Sequence, residues 1–234
     1  MKKTGPKAAP RGSRKRALNP RKLPSQDRSK ASIARVLQAT RELLKKGGPT
    51  AVTTPNIAAQ SGVSVGSIYQ YFPNKEAIIH ALYETKLAHI REIASDPKWA
   101  AETDWRSFFG KWIRAIKHGE ALMDYDLSMN EAIQHYPGLA EVSQVHVEIF
   151  ADIIVSQLQR LGSRWPEAAL FDLAVHAFFL NSGAWLYWSY AGESLPQGID
   201  RLVSSVLAII TPAMDGSAPP KPPYARRRSR TGLD

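Results

Sequence analysis

The sequence contains no cysteine among its 234 residues, which excludes disulfide bonds, thiolate zinc sites, iron–sulfur clusters and cysteine nucleophiles. The amino-terminal residues are charged but include no apolar run, so no secretory signal is expected. The six histidines form neither HExxH nor HxH, and there is no glycine-rich phosphate loop. We therefore expect no catalytic site, no metal and no cofactor.

Charge is distributed unevenly along the chain. Residues 1–24 carry nine lysines and arginines and no acid, and residues 215–234 carry five against two aspartates. The net charge is +4 over residues 25–90 but −6 over residues 91–214. This asymmetry indicates a polyanion-binding module joined to a part that does not contact the polyanion. Both basic ends are predicted to be disordered, either as arms along nucleic-acid phosphates or only as solubility tails.

Apolar residues recur at spacings of three and four nearly throughout residues 25–214, which predicts an all-α fold. The first helix is predicted to begin near Ser25 or Ser29 and to end at Gly47. A long fourth helix is predicted from Lys75 to about Ala94. Small polar residues precede three helices as caps: Thr54, Ser64 and Asn74. Further helices are predicted over residues 105–116, 121–135, 139–161, 166–190 and 196–211.

One segment is long enough to test as a membrane span. Residues 173–192 contain no aspartate, glutamate, lysine or arginine. However, polar residues interrupt the segment, and its tryptophans and tyrosine lie in one half rather than at both ends. We interpret it as a helix buried between other helices or at a subunit interface, and we expect no membrane partner.

Residues 53–75 predict two short helices joined by a glycine turn, directly after a longer amphipathic helix. A helix-turn-helix needs this layout, because Gly62 can adopt the left-handed turn conformation at no steric cost. Ile68 and Phe72 are predicted to anchor the second helix, while Gly66, Ser67 and Gln70 face out into a DNA major groove. The helix starts at Thr54 and Ser64 present N–H groups to phosphates.

The amino-acid sequence of this segment resembles the signature of the TetR (tetracycline repressor) family, I-A-x-x-x-G-V-S-x-G-x-x-Y-x-Y-F-x-x-K-E. The match begins at Ile57 and Ala58 and covers about residues 29–90. Gln60 stands where a small residue is common, and Ala77 stands near a usual leucine. The resemblance implies a homodimer with an N-terminal three-helix helix-turn-helix domain. It also implies a larger C-terminal helical domain, residues 91–214, for effector binding and dimerisation.

The resemblance also implies roles for individual residues on double-stranded DNA. Thr54 and Lys75 would hold phosphates, and the hydroxyls of Tyr69 and Tyr71 would approach the backbone. The residues that would line the groove are Val65, Gly66, Ser67 and Gln70. Glutamine can contact adenine through two hydrogen bonds, and valine can contact a thymine methyl group. The alternatives are that Tyr69 is a packing residue and that Val65 belongs to the core.

The second half contains all six tryptophans and most of the apolar bulk. Its aromatic residues either form core or line an apolar pocket for an unknown small molecule. The pocket candidates are Trp105, Phe109, Trp112, Phe150, Phe178 and Trp185. The family resemblance places the dimer interface on the last two helices, with intramolecular core as the alternative. The interface candidates are Phe179, Ser182, Leu186, Leu202, Val206 and Ile209.

The expected function is that of a cytoplasmic transcriptional repressor that binds a palindromic operator as a homodimer. A small-molecule effector would release it by moving the long helix that begins at Lys75. The alternative is a DNA-binding regulator or activator without an effector.

Overall fold

The computed structural model describes residues 27–123, 127–191 and 195–221, and it is all-α over these residues. The predicted basic arm, residues 1–24, and most of the predicted tail, residues 215–234, lie outside them. The α-helices, in chain order, are α1 (Asp27–Ala51), α2 (Thr54–Ser61), α3 (Val65–Tyr71), α4 (Lys75–Ala94), α5 (Trp105–Leu122), α6 (Leu127–His135), α7 (Pro137–Arg160), α8 (Glu167–Ala191) and α9 (Leu195–Met214). A short 3-10 helix (Pro97–Ala101) joins α4 to α5.

Two of the three predicted caps are confirmed. The Ser64 hydroxyl accepts from the backbone N–H of Ser67 at 3.2 Å, and the Asn74 side chain accepts from Ala77 at 2.8 Å. The prediction for Thr54 was wrong by one residue. Thr53 has the extended backbone of a cap and accepts from the N–H of Asn56, so Thr54 is the first helical residue.

The predicted helix ends agree with the structure only in part. The end of regular helix predicted at Gly47 is confirmed, because Gly47 and Gly48 both have non-helical backbone angles, and a separate helical turn follows as far as Ala51 within the span given for α1. Residues 121–135 do not form one helix, since α5 extends to Leu122 and α6 begins at Leu127. Pro212 lies inside α9, which continues to Met214.

The buried apolar residues form two clusters. The first, the N-terminal core, combines residues of α1 to α4 such as Val36, Ile57 and Phe72. The second, the C-terminal core, combines the end of α4 with α5, α7, α8 and α9. The helix α6 and the start of α7 belong to the N-terminal core, through Met129, Ala132, Tyr136 and Leu139. The packing units therefore do not divide at residue 90.

The segment tested as a membrane span lies in α8. No helix among the described residues is both long and apolar enough to cross a membrane.

Candidate nucleic-acid interface and buried cavity

The short helix α3 is held by one side and exposed on the other. Ile68 and Phe72 are each 1% exposed and pack into the N-terminal core. Val65, Tyr69 and Gln70 are exposed on the opposite side, with Val65 at 38% and Tyr69 at 43%. Val65 is therefore not part of the core. The helix is capped at its start, and its exposed side presents an apolar residue next to polar ones. Such a side is suited to contact with a binding partner in a groove.

Gly66 occupies the middle of this exposed surface. A Cβ atom built at Gly66 would contact no other side chain or backbone within 4 Å. Glycine inside a helix destabilises it by about 1 kcal/mol relative to alanine, and here no internal contact requires it. Absence of a side chain at this position suits close approach of another surface.

Hydroxyl groups connect α3 to its neighbours. The Ser64 and Ser67 hydroxyls lie 2.8 Å apart at the start of the helix. Tyr69 donates to the Thr54 hydroxyl at 3.4 Å, which links α3 to the first turn of α2. Tyr71 donates to Ser29 at 3.1 Å, which links the end of α3 to the first turn of α1. Thr54 is only 8% exposed, so its hydroxyl is less accessible than the sequence predicted.

Two cations lie at the edges of this surface. Lys75 is half-buried at the start of α4, with its ammonium group 5.6 Å from the centre of the Tyr136 ring. Arg35 is exposed on α1, and its guanidinium lies 3.9 Å from the position of a Cβ at Gly62, in the turn between α2 and α3. The sequence analysis missed Arg35, because nothing in the α1 pattern indicates which exposed residue lies beside the turn.

Gln60, which departs from the family pattern, connects α2 to α1. Its amide donates to the Glu42 carboxylate, which also accepts from Gln38 at 3.0 Å. These hydrogen bonds, from Gln38 first and then Gln60, lower the pKa of Glu42. The departure from a small residue is therefore accommodated by a polar contact between the helices.

A buried cavity lies between the helices of the C-terminal core. Its free volume is about 30 Å³, close to the volume of one water molecule in the liquid. The lining residues are Phe109, Trp112, Ile113, Ile116, Phe150, Ile154, Ala177, Phe178, Asn181, Val206 and Ile210. Four of the predicted pocket residues are among them. Trp105 is not, since it packs against Arg106, and the side chain of Trp185 lies outside the described part of the chain.

The aromatic rings around this cavity form a continuous row. The ring centres of Trp112 and Phe150 are 5.4 Å apart, and those of Phe150 and Phe178 are 5.7 Å apart. His146 extends the row, at 5.7 Å from Phe150 and 5.6 Å from Phe178. Burial, with Arg91 and Lys86 nearby, lowers the pKa of His146 to about 4. The imidazole is consequently neutral at neutral pH.

Beyond His146 lies a cluster of charged side chains that the sequence analysis did not anticipate. Lys117 is fully buried on α5 and forms an ion pair with Glu120 at 2.6 Å. Arg91 on α4 lies 3.5 Å from His146 and forms an ion pair with Glu84 at 3.2 Å. This cluster lies among α4, α5 and α7. It places polar groups beside the C-terminal core.

The predicted interface residues on α8 and α9 fall into two groups. Phe179 is 59% exposed and Ser182 is exposed, and Ile209 is partly buried. Leu202 and Val206 are buried in the C-terminal core of their own chain, which favours the alternative of intramolecular core for these two residues. The side chain of Leu186 lies outside the described residues. A groove of about 490 Å³ runs between α8 and α9 and is lined by Phe179, Leu180, Gly183, Ala184, Tyr187, Trp188, Arg201, Leu202 and Ser205.

The helix α3 follows the turn at Gly62, is capped at its start, is anchored on one side and is exposed on the other. This arrangement is that of a helix-turn-helix DNA-binding protein. Residues 36–82 match the family model described as bacterial regulatory proteins, tetR family. Residues 36–82 therefore carry a DNA-binding helix-turn-helix of the tetR family, and over most of its length the chain is similar to transcriptional regulators of that family.

Individual relatives agree with this assignment. The chain is 25% identical over 166 residues to the HTH-type transcriptional regulator BetI of Escherichia coli O45:K1, covering 68% of this chain and 83% of that protein. It is 36% identical over 90 residues to the class A tetracycline repressor protein from transposon 1721 of Escherichia coli, covering 38% and 39%. A TetR-family regulator from Marinobacter aquaeolei VT8 shares the fold, with a TM-score of 0.59, 15% identity, and coverage of 77% and 90%.

Proposed function

We propose that the protein is a cytoplasmic repressor that binds a palindromic operator as a homodimer and is released by a small molecule. The observation that carries the proposal is the exposed side of α3. Ile68 and Phe72 fix the helix while Val65, Gly66 and Gln70 face away from the protein. This arrangement supports insertion of α3 into a major groove, as helix-turn-helix proteins do.

Contacts to bases and to phosphates are assigned to different residues. Val65, Ser67 and Gln70 lie within the first two turns of α3 and would contact base edges, while Gly66 permits close approach. Tyr69, Tyr71, Lys75 and the N–H groups of Thr54 and Ser64 would contact phosphates. For Tyr71 and Tyr69 the existing hydrogen bonds to Ser29 and Thr54 would orient the hydroxyls.

Selection of binding sites from randomised DNA tests this assignment. We expect the wild type to recover a palindrome, because a two-fold dimer presents two equivalent α3 helices. The Gln70→Ala variant should retain its melting temperature, since an exposed residue is replaced by the best helix former. Its discrimination at one base pair in each half-site should fall by about 1–3 kcal/mol.

Two results would contradict this assignment. Recovery of the same base preference by Gln70→Ala would show that Gln70 does not read bases. Recovery of a site without two-fold symmetry would show that two α3 helices do not bind DNA together.

A contact between Lys75 and a DNA phosphate predicts a change in binding that differs from the one expected for Gln70→Ala. Lys75→Ala should weaken binding to all DNA sequences about equally and lower the slope of log K against log salt by roughly 0.9. Fluorescence anisotropy at several salt concentrations measures both effects. Lys98→Ala is the matched control, because Lys98 is an exposed lysine on the 3-10 helix, where it pairs with Asp96 at 2.8 Å. An unchanged slope in Lys75→Ala would refute the contact.

Dimerisation is assigned to α8 and α9, on the side that includes Phe179, Ser182 and Ile209. The exposed aromatic side chains Phe179, Tyr187 and Tyr190 lie on α8, and large exposed apolar surfaces commonly mark interaction sites. Gly183 is exposed between them, and a Cβ there would meet nothing within 4 Å. A second copy of the chain would cover these residues.

A charge placed on this surface should prevent dimer formation. Phe179→Glu should sediment at half the mass of the wild type and lose affinity for the palindrome, because each half-site would then be bound separately. Leu122→Glu is the control, since Leu122 is 87% exposed and belongs to α5 rather than to α8 or α9. A dimeric Phe179→Glu variant would place the interface elsewhere.

Release by an effector is supported by the connection between the cavity and α4. Trp112 lines the cavity, and its indole N–H donates to the carbonyl of Ala94, the last residue of α4, at 3.0 Å. Since α4 begins at Lys75, directly after α3, movement of α5 on ligand binding would be transmitted toward the DNA-binding helices. The effector then lowers DNA affinity because it binds the two states with different affinities.

The alternative, a DNA-binding regulator without an effector, is favoured by one observation. The free volume of the cavity, about 30 Å³, is too small for an organic ligand unless the surrounding helices separate. Ligand-induced increases in melting temperature, followed by loss of the operator complex, would support the effector mechanism. Absence of any stabilisation by small apolar compounds would support the alternative.

A further inference from the structure

Among the residues that the structure describes, none of those lining the cavity between α5, α7, α8 and α9 has a charged side chain. Ten of the eleven lining residues are apolar, and Asn181 is the single polar one. We infer that the ligand of this cavity, whose entry separates these helices because the free volume is only about 30 Å³, is a neutral aromatic molecule with one hydrogen-bonding group. This inference rests on the proposed effector role and specifies the chemistry of the ligand.

The aromatic side chains favour an aromatic ligand over an aliphatic one. Phe109, Trp112, Phe150 and Phe178 enclose the cavity, with successive edge-to-face or tilted pairs at 5.4–6.0 Å between ring centres. An aromatic molecule inserted among them can adopt the same edge-to-face geometry on several sides. The aliphatic residues of α5, α7 and α9 complete the walls and contribute only apolar contact.

The surroundings oppose an organic cation, even though aromatic rings can bind one through their faces. The charged cluster next to the cavity adjoins it through His146, whose ring contacts Phe150 and Phe178. Its carboxylates Glu84 and Glu120 form ion pairs with Arg91 and Lys117, and neither is among the described residues that line the cavity. A cation in the cavity would therefore be desolvated without a carboxylate in the described walls to pair with it.

An anion is opposed by the same walls for a different reason. A buried carboxylate needs several hydrogen-bond donors or a paired cation. Among the described lining residues the polar group available to a ligand is the amide of Asn181, and the cluster's cations Arg91 and Lys117 already form ion pairs with Glu84 and Glu120. An amide can donate to or accept from one neutral hydroxyl or carbonyl, which sets the number of polar groups on the ligand at one.

Two pairs of probes of nearly equal shape test the charge of the ligand. At pH 7 para-tert-butylphenol is neutral and para-tert-butylbenzoate is an anion, while tert-butylbenzene is neutral and phenyltrimethylammonium is a cation. Calorimetric titration of the full-length wild type should show the neutral member of each pair binding at least about tenfold more tightly than the charged member. Equal or tighter binding of a charged probe overturns the inference, and so does absence of phenol binding at millimolar concentration.

Two variants locate the binding in the cavity. Asn181→Leu should weaken the phenol about tenfold, the effect of one lost hydrogen bond, and leave tert-butylbenzene binding unchanged. Ala177→Val should fill the cavity and abolish binding of both compounds, and its melting curve checks that the variant is folded. Unchanged phenol affinity in both variants would overturn the inference, because the phenol would then bind elsewhere.

The DNA complex separates this inference from the proposed function. Addition of the phenol to the operator complex should release DNA from the wild type and not from Ala177→Val. If the phenol binds in the cavity and DNA is retained, the ligand class stands and effector release is refuted.

Discussion

Replacement of Phe72 by alanine should lower the free energy of unfolding by about 3–5 kcal/mol, as expected for a large aromatic side chain removed from a core. Phe72 is 1% exposed, and its N–H bonds to the carbonyl of Ile68 at the end of α3. Because this ring is buried, it fixes the recognition helix α3 to the N-terminal core. Loss of the ring should also weaken binding to every DNA sequence together. Chemical denaturation and binding to several DNA sequences measure these effects.

The control lies two residues away. Gln70→Ala changes the same helix on its exposed side, so it should unfold at the wild-type denaturant concentration. If Phe72→Ala were as stable as Gln70→Ala and changed the preferred base at one position, the anchored and exposed sides of α3 would have been exchanged. The groove-facing assignments would then be wrong.

The parts of the fold that sequence could predict depend on contacts close along the chain. Ser64 and Asn74 cap their helices through a hydrogen bond three residues ahead, so the local sequence contains both partners. The buried positions of Ile68 and Phe72 follow from the four-residue spacing on one side of a helix. The alternation of anchored and exposed residues on α3 was predictable for the same reason.

The predicted helix ends were wrong where two local backbone conformations are compatible with the same residues. Thr53 and Thr54 both precede Pro55, and proline is compatible with either of the first two helical positions, so sequence alone could not choose the cap. Gly47 and Gly48 do interrupt the first helix as predicted, but the further helical turn that follows to Ala51 was not foreseen. The competing outcomes differ by a few residues and by little free energy.

The sequence did not predict which neighbouring helix packs against the apolar side of a given helix. Leu202 and Val206 form an apolar stripe on α9 that would suit a subunit interface or a core equally, and only the fold assigns them to the core. Likewise, no residue pattern in α6 indicates that Met129 and Tyr136 pack with the N-terminal helices. Periodicity identifies an apolar side of a helix, while its partner depends on the tertiary arrangement.

Lys117 is the clearest example of a residue whose role sequence conceals. A lysine three residues before a glutamate on a helix is typical of an exposed pair, yet Lys117 is fully buried and Glu120 is 6% exposed. Burial lowers the pKa of Lys117, and the adjacent carboxylate of Glu120 opposes that shift. The pair is stable in the interior because each charge compensates the desolvation of the other.

Lys117→Met should consequently destabilise the protein by about 3–5 kcal/mol, because it leaves the Glu120 carboxylate buried without its lysine. Lys111→Met is the matched control on the same helix, where Lys111 and Glu102 form an exposed ion pair at 2.5 Å. Water solvates that carboxylate when its lysine is removed, so the midpoint of chemical denaturation should scarcely change. Equal midpoints for the two variants would refute the buried pair.

The double variant Lys117→Met with Glu120→Leu separates loss of a charge partner from loss of packing. Apolar residues of similar volume can replace a buried ion pair at little net change in stability, so the double variant should recover most of the stability lost in Lys117→Met. If the double variant were instead less stable than Lys117→Met, other contacts of Glu120 would outweigh the ion pair with Lys117. The two denaturation curves decide between these effects, since only an uncompensated charge is relieved by removing the second partner.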